Sequence, residues 1–443
     1  MFYTSNFNTF SFQNNTFKTN AVQEHKTVAL IGAGRRGREV YARFLKEACQ
    51  NTEIVAVAEP NWYRRKAAAK EHEIPHSHQF ASYQDFFKQG KLADGLMITT
   101  MDHQHYEPTI QGIKMGYDIF LEKPVTPTFE QFKDLVRLAK QHQSRILIAH
   151  VLRYTPFYQR LKLLLQEGKI GALRSIDHIE NVGYFHFVHS YVRGNWRNTS
   201  RSAPLFLAKS SHDFDLFSWL LDKNCLEIFA QGKQTYFLPE NMPHHAGQKC
   251  LQCKIESECP FSAKHIYLDQ ELPWPKEIIE GMPPRYQRYL GVCFTNLGRC
   301  VYRMDNDMPE VLTASLKYGD NILVNFTLTG LSREMTRRTK IFGTHGEIEA
   351  DFEQEKIKLF PYRYPAKEIP VPKEKGGHGG GDLGLIKHWE NFLQGKTRKD
   401  ASTLEASIES HLTAYAAERS RQKGQKVNVE EMRKQLIEAC SQK

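Results

Sequence analysis

Residues 28–37, VALIGAGRRG, decide the fold of this 443-residue chain. Four apolar residues lead into a glycine-rich turn, and a helix-like spacing of apolar residues follows. In such a turn the first glycine permits the tight bend, the second lets the backbone approach a phosphate, and the third lets helix and strand pack closely. Free N–H groups at the helix start favour an anion. The predicted cofactor-binding residues of this turn are Gly32, Gly34, Arg35, Arg36 and Gly37.

A second apolar strand, predicted at residues 54–58, ends in Glu59, 22 residues after the last glycine of the turn. A carboxylate at this place accepts both hydroxyls of a ribose and repels a 2′-phosphate, so NAD is favoured and NADP is the alternative. Arg64 and Arg65 follow and are able to hold a 2′-phosphate, although a solvated helix start explains them as well.

Composition restricts the class of protein. The chain is 40% hydrophobic and 25% charged, as is typical of a globular protein, and its net charge of +10 is spread without basic blocks. We therefore expect no nucleic-acid binding. No apolar run approaches the roughly 20 residues of a membrane span, and no signal-peptide core is found, so a cytoplasmic location is expected.

Further strands of the first domain end in polar residues. One predicted strand, residues 95–100, ends at Thr100, and Asp102 and His105 follow on a loop. These side chains either contact the cofactor or cap a helix. Another strand, residues 118–121, leads into Glu122-Lys123-Pro124, which places an ammonium at the crevice where open α/β sheets bind ligands; a lysine on a surface turn is the alternative.

The second half of the chain is predicted to be rich in strands, because apolar and polar residues alternate at residues 176–184, 226–232 and 322–329. Within it, residues 213–221 form an apolar helix pattern with His212 at its start. The helix dipole lowers the pKa of a histidine there, which suits a neutral general base, while a cap or a core histidine is the alternative.

Several of these motifs, together and in order, resemble the Gfo/Idh/MocA oxidoreductase family. The motifs are the glycine turn, Ala58-Glu59-Pro60, Glu122-Lys123-Pro124, Arg153-Tyr154, residues 161–171 and residues 212–221. The resemblance covers about residues 27–430. It implies an α/β fold with an N-terminal Rossmann domain and a C-terminal mixed α+β domain that carries a large open, mostly antiparallel sheet.

The resemblance also implies chemistry. Lys123 and His212 match the family's catalytic lysine and histidine, and Arg153 and Tyr154 match substrate-side residues. Many members carry an aspartate four residues before the histidine, where this chain has Ala208. Without that carboxylate, Lys209 becomes a candidate for part of the proton transfer. A homo-dimer or homo-tetramer is expected by the same resemblance.

Two further segments suggest a polyhydroxylated or anionic substrate. Aromatic and arginine residues crowd together at residues 186–201, and a glycine-rich loop at residues 376–382 is able to close over a ligand. Hydrated loops are the alternative for both segments. The predicted substrate contacts from them are Arg193, Trp196, Arg197 and His378.

Three cysteines within ten residues, Cys250, Cys253 and Cys259, suggest a structural zinc site. Such a site needs a fourth ligand, for which His244, His245 and Cys300 are candidates. Buried thiols or a redox pair explain the cluster equally well.

The predicted organisation is a flexible arm at residues 1–26, a Rossmann domain at residues 27–151 and a substrate and oligomerisation domain at residues 152–402. The latter holds a cysteine-containing insertion at about residues 240–310, and a helix at about residues 403–423 returns to the first domain. We expect an NAD(P)-dependent oxidoreductase that acts on the CH–OH groups of a sugar, cyclitol or related polyol. The alternatives are a redox-neutral NAD-dependent enzyme of glycosidase type and a non-catalytic nucleotide sensor.

Overall fold

The computed structural model describes residues 24–269, 285–374 and 377–441. Most of the arm predicted at residues 1–26 lies outside these ranges, as does the 270–284 part of the predicted insertion. The described chain forms one six-stranded and one nine-stranded sheet. None of the described helices is both long and apolar enough to cross a membrane.

The first sheet is parallel throughout, in the order β3-β2-β1-β4-β5-β6. Its strand order reverses between β1 and β4, and open α/β sheets bind ligands at such a point. This sheet confirms the predicted doubly wound unit. The strands are β1 (Lys26–Ile31), β2 (Thr52–Ala58), β3 (Gln79–Phe80), β4 (Gly95–Ile98), β5 (Asp118–Leu121) and β6 (Ile146–Ile148).

The helices of the first domain alternate with its strands. The helix after the glycine turn opens as a π-helix, Arg35–Ala42, before it continues as α1. The α-helices of the domain each connect two successive strands. They are α1 (Arg43–Ala48), α2 (Trp62–Glu71), α3 (Tyr83–Phe87), α4 (Tyr106–Lys114) and α5 (Phe129–Gln141).

The second sheet has the order β14-β13-β12-β11-β7-β10-β9-β8-β15, and only its β7–β10 pair is parallel. Buried and exposed residues alternate along β9 and β10, so one face of the sheet covers a core. The predicted second domain is thereby confirmed as a fold. Its strands are β7 (Leu173–Asn181), β8 (Cys225–Gln231), β9 (Val311–Tyr318), β10 (Leu323–Thr329), β11 (Thr336–Gly343), β12 (Gly346–Asp351), β13 (Lys356–Pro361), β14 (Lys367–Ile369) and β15 (Val427–Asn428).

The remaining helices lie in the second half of the chain. Short 3₁₀ turns, a π-helical segment (Val188–Arg193) and the segment Val151–Tyr154 connect them. The helices are α6 (Pro156–Gln166), α7 (Tyr184–Phe187), α8 (Leu205–Ala208), α9 (Ser211–Leu221), α10 (Ala263–Tyr267), α11 (Arg285–Phe294), α12 (Gly381–Leu393), α13 (Ile408–Lys423) and α14 (Val429–Ser441).

The helix predicted at residues 403–423 begins five residues later, at Ile408. Thr403 forms an antiparallel bridge with Leu147, and the amide of Leu404 donates a hydrogen bond to the carbonyl of Ile146. The start of the predicted helix is therefore a segment that pairs with β6. The last helix of the described chain is α14, which packs on α5. Helix α12 also packs against the first domain, because the ring of Trp389 lies against the ring of Phe120 with the two ring centres 5.7 Å apart.

Candidate functional site

The glycine turn lies where the first sheet changes strand order. Gly32 has a φ of +90°, and its amide donates to the carbonyl of Ala58 at 2.8 Å. A Cβ at Gly37 would lie 2.3 Å from the Gly32 carbonyl oxygen, so only glycine allows this close packing. A Cβ at Gly34 would meet nothing within 4 Å. The turn thus leaves open space at Gly34, where the motif needs room for a phosphate.

Glu59 lies beside this turn and is only 5% exposed. Its Oε2 accepts a hydrogen bond from the amide of Ala33 at 2.7 Å, and its Oε1 accepts one from the amide of Asn61 at 2.9 Å. The carboxylate is therefore fixed at the end of β2. Arg65 donates to the main-chain carbonyls of Glu59 and Pro60, so its guanidinium already has backbone partners.

Arg36 does not point as a phosphate ligand would. Its Nε donates to Glu122 at 3.0 Å and its Nη2 to Asp382 at 2.8 Å, while the guanidinium lies 4.4 Å from the centre of the Tyr41 ring. Two carboxylates thus pair with this guanidinium in the described chain, and its predicted cofactor contact stays a prediction. The charge of Arg35 lies close to His189, whose pKa is lowered to about 4 by burial, then by Arg193 and Arg35.

Three residues beyond β4 were predicted to contact the cofactor. The Thr100 hydroxyl is buried without a hydrogen-bond partner among the described residues, which suits a ligand contact. Asp102 instead accepts hydrogen bonds from the Trp196 indole and the Ser202 hydroxyl, each at 3.1 Å. Both ring nitrogens of His105 face main-chain carbonyls, so His105 and Asp102 both have protein partners in the described chain.

Glu122 and Lys123 follow β5 at the same crevice. The Lys123 Nζ donates to the carbonyl of Ala208 at 2.5 Å, so the lysine reaches the segment that leads to His212. Burial lowers the pKa of Lys123, and Lys209 and Arg36 lower it further against the opposing charge of Glu122. Burial alone would raise the pKa of Glu122, but Arg36 and Lys123 hold it below its ordinary value.

His212 lies in the first turn of α9. Burial lowers its pKa well below 6.5, and the charge of Lys123 is the next cause. This direction favours the neutral imidazole that the sequence predicts, with burial and nearby cations as its causes. The His212 Nδ1 is buried without a hydrogen-bond partner among the described residues. The two predicted catalytic groups therefore lie close enough to influence each other.

The glycine loop brings His378 to the same place. The His378 ring lies 6.4 Å from that of His212, and its Nδ1 lies 3.0 Å from Asp382, which also pairs with Arg36. The His378 side chain is 40% exposed. Among the predicted substrate contacts, His378 thus lies beside His212 with an open side.

Lys209 is paired with the second sheet. Its Nζ lies 3.1 Å from Glu180, whose other oxygen lies 2.6 Å from the Nε of Arg337. The same Nε lies 2.7 Å from Asp213. Burial alone would raise the pKa of Asp213, but Arg337 and His178 bring it to about 2. Lys209 is therefore an anchored cation beside His212.

Arg153 and Tyr154, which were predicted as substrate contacts, make structural contacts in the described chain. The guanidinium of Arg153 donates to both oxygens of Asp215, at 2.7 and 2.6 Å, in a buried bidentate pair. The Tyr154 hydroxyl lies 3.1 Å from the Ser402 hydroxyl. These contacts join the end of the first domain to α9 and to the segment before α13.

The arginines of the aromatic segment are also occupied. Arg197 donates to Asp305 at 2.7 Å, and Arg193 is 2% exposed and donates to the sulfur of Cys250 at 3.3 Å. The Trp196 indole bonds Asp102, as described above. Each predicted substrate contact in this segment therefore has a structural partner instead.

The cysteines predicted to hold zinc are free thiols. In the chain that the structure describes, no three histidine, cysteine, aspartate or glutamate side chains are arranged as a group able to hold a metal ion. Zinc binding by Cys250, Cys253 and Cys259 alone is therefore not supported.

The sequence interpretation missed the residues that hold the site together. Asp382, Glu180 and Arg337 come from three distant segments, and no local pattern marks them as partners. Asp382 follows the glycine loop, and its carboxylate joins His378 to Arg36.

We expect the free energy of unfolding to fall as the pH drops from about 6.5 to about 4. Burial is the main cause that lowers the pKa of His189, His388 and His411 to about 4. The unfolded chain then binds more protons than the folded one in this range, so acid favours unfolding. Thermal melting against pH measures this effect, and His411→Gln should flatten the slope. A constant midpoint from about pH 7 to about pH 5 contradicts the prediction.

Comparison with known proteins agrees with this geometry. Residues 26–150 match the family described as "Oxidoreductase family, NAD-binding Rossmann fold". The chain is 24% identical over 392 residues to YteT of Bacillus subtilis (strain 168), which is named as an oxidoreductase; the match covers 84% of this chain and 89% of YteT. Inositol 2-dehydrogenase of Corynebacterium glutamicum is 25% identical over 50% of this chain and 60% of its own length.

A third relative differs in its named reaction. The 2,7-anhydro-N-acetylneuraminate hydratase of Escherichia coli (strain K12) is 26% identical over 43% of this chain and 48% of its own length.

Solved structures share the whole two-domain fold. An oxidoreductase from Agrobacterium radiobacter, in complex with NAD+, L-tartaric acid and magnesium, aligns with a TM-score of 0.66 at 14% identity, over 92% of this chain and 99% of that one. The WlbA dehydrogenase from Chromobacterium violaceum, in complex with NADH and UDP-GlcNAcA, aligns with a TM-score of 0.64 at 15% identity, over 92% and 96% of the two chains.

Proposed function

Residues 26–150 belong to the Gfo/Idh/MocA oxidoreductase family, and from that premise we propose that the chain transfers a hydride between NAD and a sugar, cyclitol or related polyol. The observation that carries the proposal is the proximity of Lys123 and His212. The lysine from β5 bonds the carbonyl of Ala208, and its charge lowers the pKa of the imidazole on α9. This proximity of a lysine that follows β5 and a histidine on α9 supports a shared site.

Each of these groups has a role in such a reaction. Bound nicotinamide supplies a carbon that accepts or returns the hydride. Lys123 holds the substrate oxygen as a hydrogen-bond donor, and the neutral His212 accepts the hydroxyl proton. Lys209 adds positive charge beside Lys123, whose pKa it lowers. His378 faces the opening, where it is able to contact a substrate hydroxyl.

NAD is the proposed cofactor in preference to NADP. The Glu59 carboxylate, held by the amides of Ala33 and Asn61, lies where the adenosine ribose is bound in this fold. A 2′-phosphate would meet this negative charge. Arg65 already donates to main-chain carbonyls, so its guanidinium is poorly available to bind that phosphate.

We expect Gly34→Ala to weaken NAD binding about tenfold or more without changing the melting temperature. A Cβ at this position meets nothing in the protein, and its φ of −71° is open to alanine, so the loss arises from the approaching phosphate. Calorimetric titration with NAD measures the effect. Gly37→Ala is the contrast, because its Cβ clashes with the Gly32 carbonyl and should destabilise the fold. Unchanged NAD affinity in Gly34→Ala would sink the predicted phosphate position.

A substrate screen tests the reaction itself. Sugars, cyclitols and nucleotide sugars are offered with NAD or with NADP, and the absorbance of reduced nicotinamide is followed. We expect turnover with NAD that is lost in His212→Asn and retained in His103→Asn, a histidine outside the proposed catalytic set. Failure of every polyol to reduce NAD, with NAD binding intact, removes the dehydrogenase proposal.

One observation favours a second candidate, a redox-neutral enzyme that returns the hydride to its substrate. Ala208 supplies only its carbonyl, to Lys123, so no carboxylate precedes His212 at the family position. The hydratase among the relatives shows that a reaction other than dehydrogenation is named in this group. Product formation without net reduced nicotinamide distinguishes this candidate from the first.

We also propose a cytoplasmic homo-oligomer that associates through the outer face of the nine-stranded sheet. Ile179, Phe229 and Leu323 are exposed on β7, β8 and β10 of that sheet. Light scattering of the purified protein tests this association, and a monomer would contradict it.

A further inference from the structure

Four cysteines of the insertion between β8 and β9 line one small cavity. Cys250, Cys253, Cys259 and Cys300 all border this cavity, whose volume is about 20 Å³. All four are free thiols. A space of this size suits a single ion better than a multi-atom cluster.

The backbone brings the fourth cysteine to the other three. The amide of Cys300 donates to the carbonyl of Gln248 at 3.0 Å, and Lys249 forms an antiparallel bridge with Arg299. These bonds clamp the segment after α11 against the first cysteine pair. His244 and His245, the other candidate ligands, do not border the cavity. The structure thus distinguishes between ligands that the sequence left open.

Three of the four sulfurs accept hydrogen bonds from the backbone. The amide of Gly247 donates to the Cys253 sulfur at 3.2 Å. The amides of Phe261 and Tyr302 donate to Cys259 and Cys300, in each case from two residues further along the chain. Hydrogen bonds of this kind orient sulfur ligands around a metal.

A buried guanidinium faces the same sulfurs. Besides Cys250, Arg193 donates to the carbonyls of Arg299 and Phe261, and its Nη1 is buried without a hydrogen-bond partner among the described residues. No carboxylate in the described chain pairs with it; the nearby Glu256 bonds Ser262 and lies 3.5 Å from Lys264. A buried cation without a counter-charge is strongly unfavourable. The thiols are the groups able to supply that charge.

We propose that Cys250, Cys253, Cys259 and Cys300 bind one zinc ion in a closed tetrahedral site. Binding converts four thiols to thiolates, releases four protons and leaves a net charge of −2 on the zinc–sulfur centre, opposite Arg193. In the described structure the four sulfurs border the cavity without forming a metal-holding group, so zinc binding must draw them inward to the usual zinc–sulfur distance of about 2.3 Å. Four protein ligands leave no position for a substrate, so the role is structural.

The position of the site indicates what it stabilises. Arg193 ends the π-helical segment from which Trp196 follows, and the Trp196 indole bonds Asp102 of the first domain. The zinc site therefore stabilises residues 193–196, the segment that links the insertion to the first domain.

Metal analysis of the full-length protein tests the proposal. We expect about one zinc per chain after purification without added metal. Cys250→Ser and Cys300→Ser should lose it, while Cys293→Ser, in the same insertion but away from the cavity, should keep it. His245→Ala should also keep it. Loss of zinc in His245→Ala with retention in Cys300→Ser overturns the assigned ligand set.

A second measurement does not depend on the folding of variants. Unmodified protein, exchanged with cobalt(II), should show the intense near-ultraviolet absorption of thiolate-to-cobalt charge transfer and the visible bands of a tetrahedral site. Purified protein that holds no zinc and shows no such absorption overturns the proposal. Iron in place of zinc overturns it as well.

Discussion

Replacing Lys123 with methionine is expected to lower kcat by about a thousandfold while NAD binding stays within a few-fold of the unmodified protein. Methionine retains the length and the apolar stem of lysine but loses the donor that bonds Ala208. The substrate oxygen then has no charged partner while its bond order changes. Steady-state kinetics with the substrate from the screen, together with calorimetric titration of NAD, measure the two quantities separately.

Lys162→Met is the matched control for that variant. Lys162 is also partly buried, its pKa is also lowered mainly by burial, and it also donates to main-chain carbonyls, those of Trp219 and Leu220. It lies outside the crevice, so its replacement should leave kcat unchanged. If both variants lose activity equally, the effect of Lys123 is structural. If Lys123→Met turns over normally, the proposed role of the lysine is wrong.

The first domain could be predicted closely because its signals are local. Buried parallel strands are continuous apolar runs in the sequence. The glycine turn has the spacing that is typical of a dinucleotide-binding turn. The strand at residues 118–121 therefore agrees with the observed β5 at both ends. The predicted strand at residues 95–100 ends earlier, at Ile98, so that Thr99 and Thr100 lie beyond it at the crevice.

The ion pairs of the arginines could not be predicted, for the opposite reason. Arg153 pairs with a carboxylate 62 residues away, and Arg36 pairs with one 346 residues away. An arginine in an aromatic-rich or glycine-rich segment has the same local pattern whether it binds a substrate or neutralises a buried acid. Only the tertiary contacts distinguish these two uses. The cysteine cluster is similar, since its fourth member lies beyond α11.

Replacing Arg153 with methionine is expected to lower the free energy of unfolding by about 3–5 kcal/mol. The guanidinium is buried, and it offsets the burial that raises the pKa of Asp215. Without it, Asp215 is left as an unpaired buried acid, whose pKa rises further above its unfolded value. Denaturant unfolding at neutral pH measures the loss. The KM of the surviving folded enzyme should change little, because Arg153 contacts no open part of the crevice.

The pH dependence separates this explanation from simple loss of packing. A carboxyl group whose pKa is higher in the folded than in the unfolded chain costs stability once the pH is high enough to ionise it. The loss of unfolding free energy in Arg153→Met should therefore grow as the pH rises above about 4. The double variant Arg153→Met/Asp215→Asn removes the ionisable group and should recover part of the stability at neutral pH. A deficit that is equal at acid and neutral pH, and that the second replacement does not reduce, would show that Arg153 acts through its volume and not its charge. A large rise in KM without loss of stability would instead return Arg153 to the substrate site.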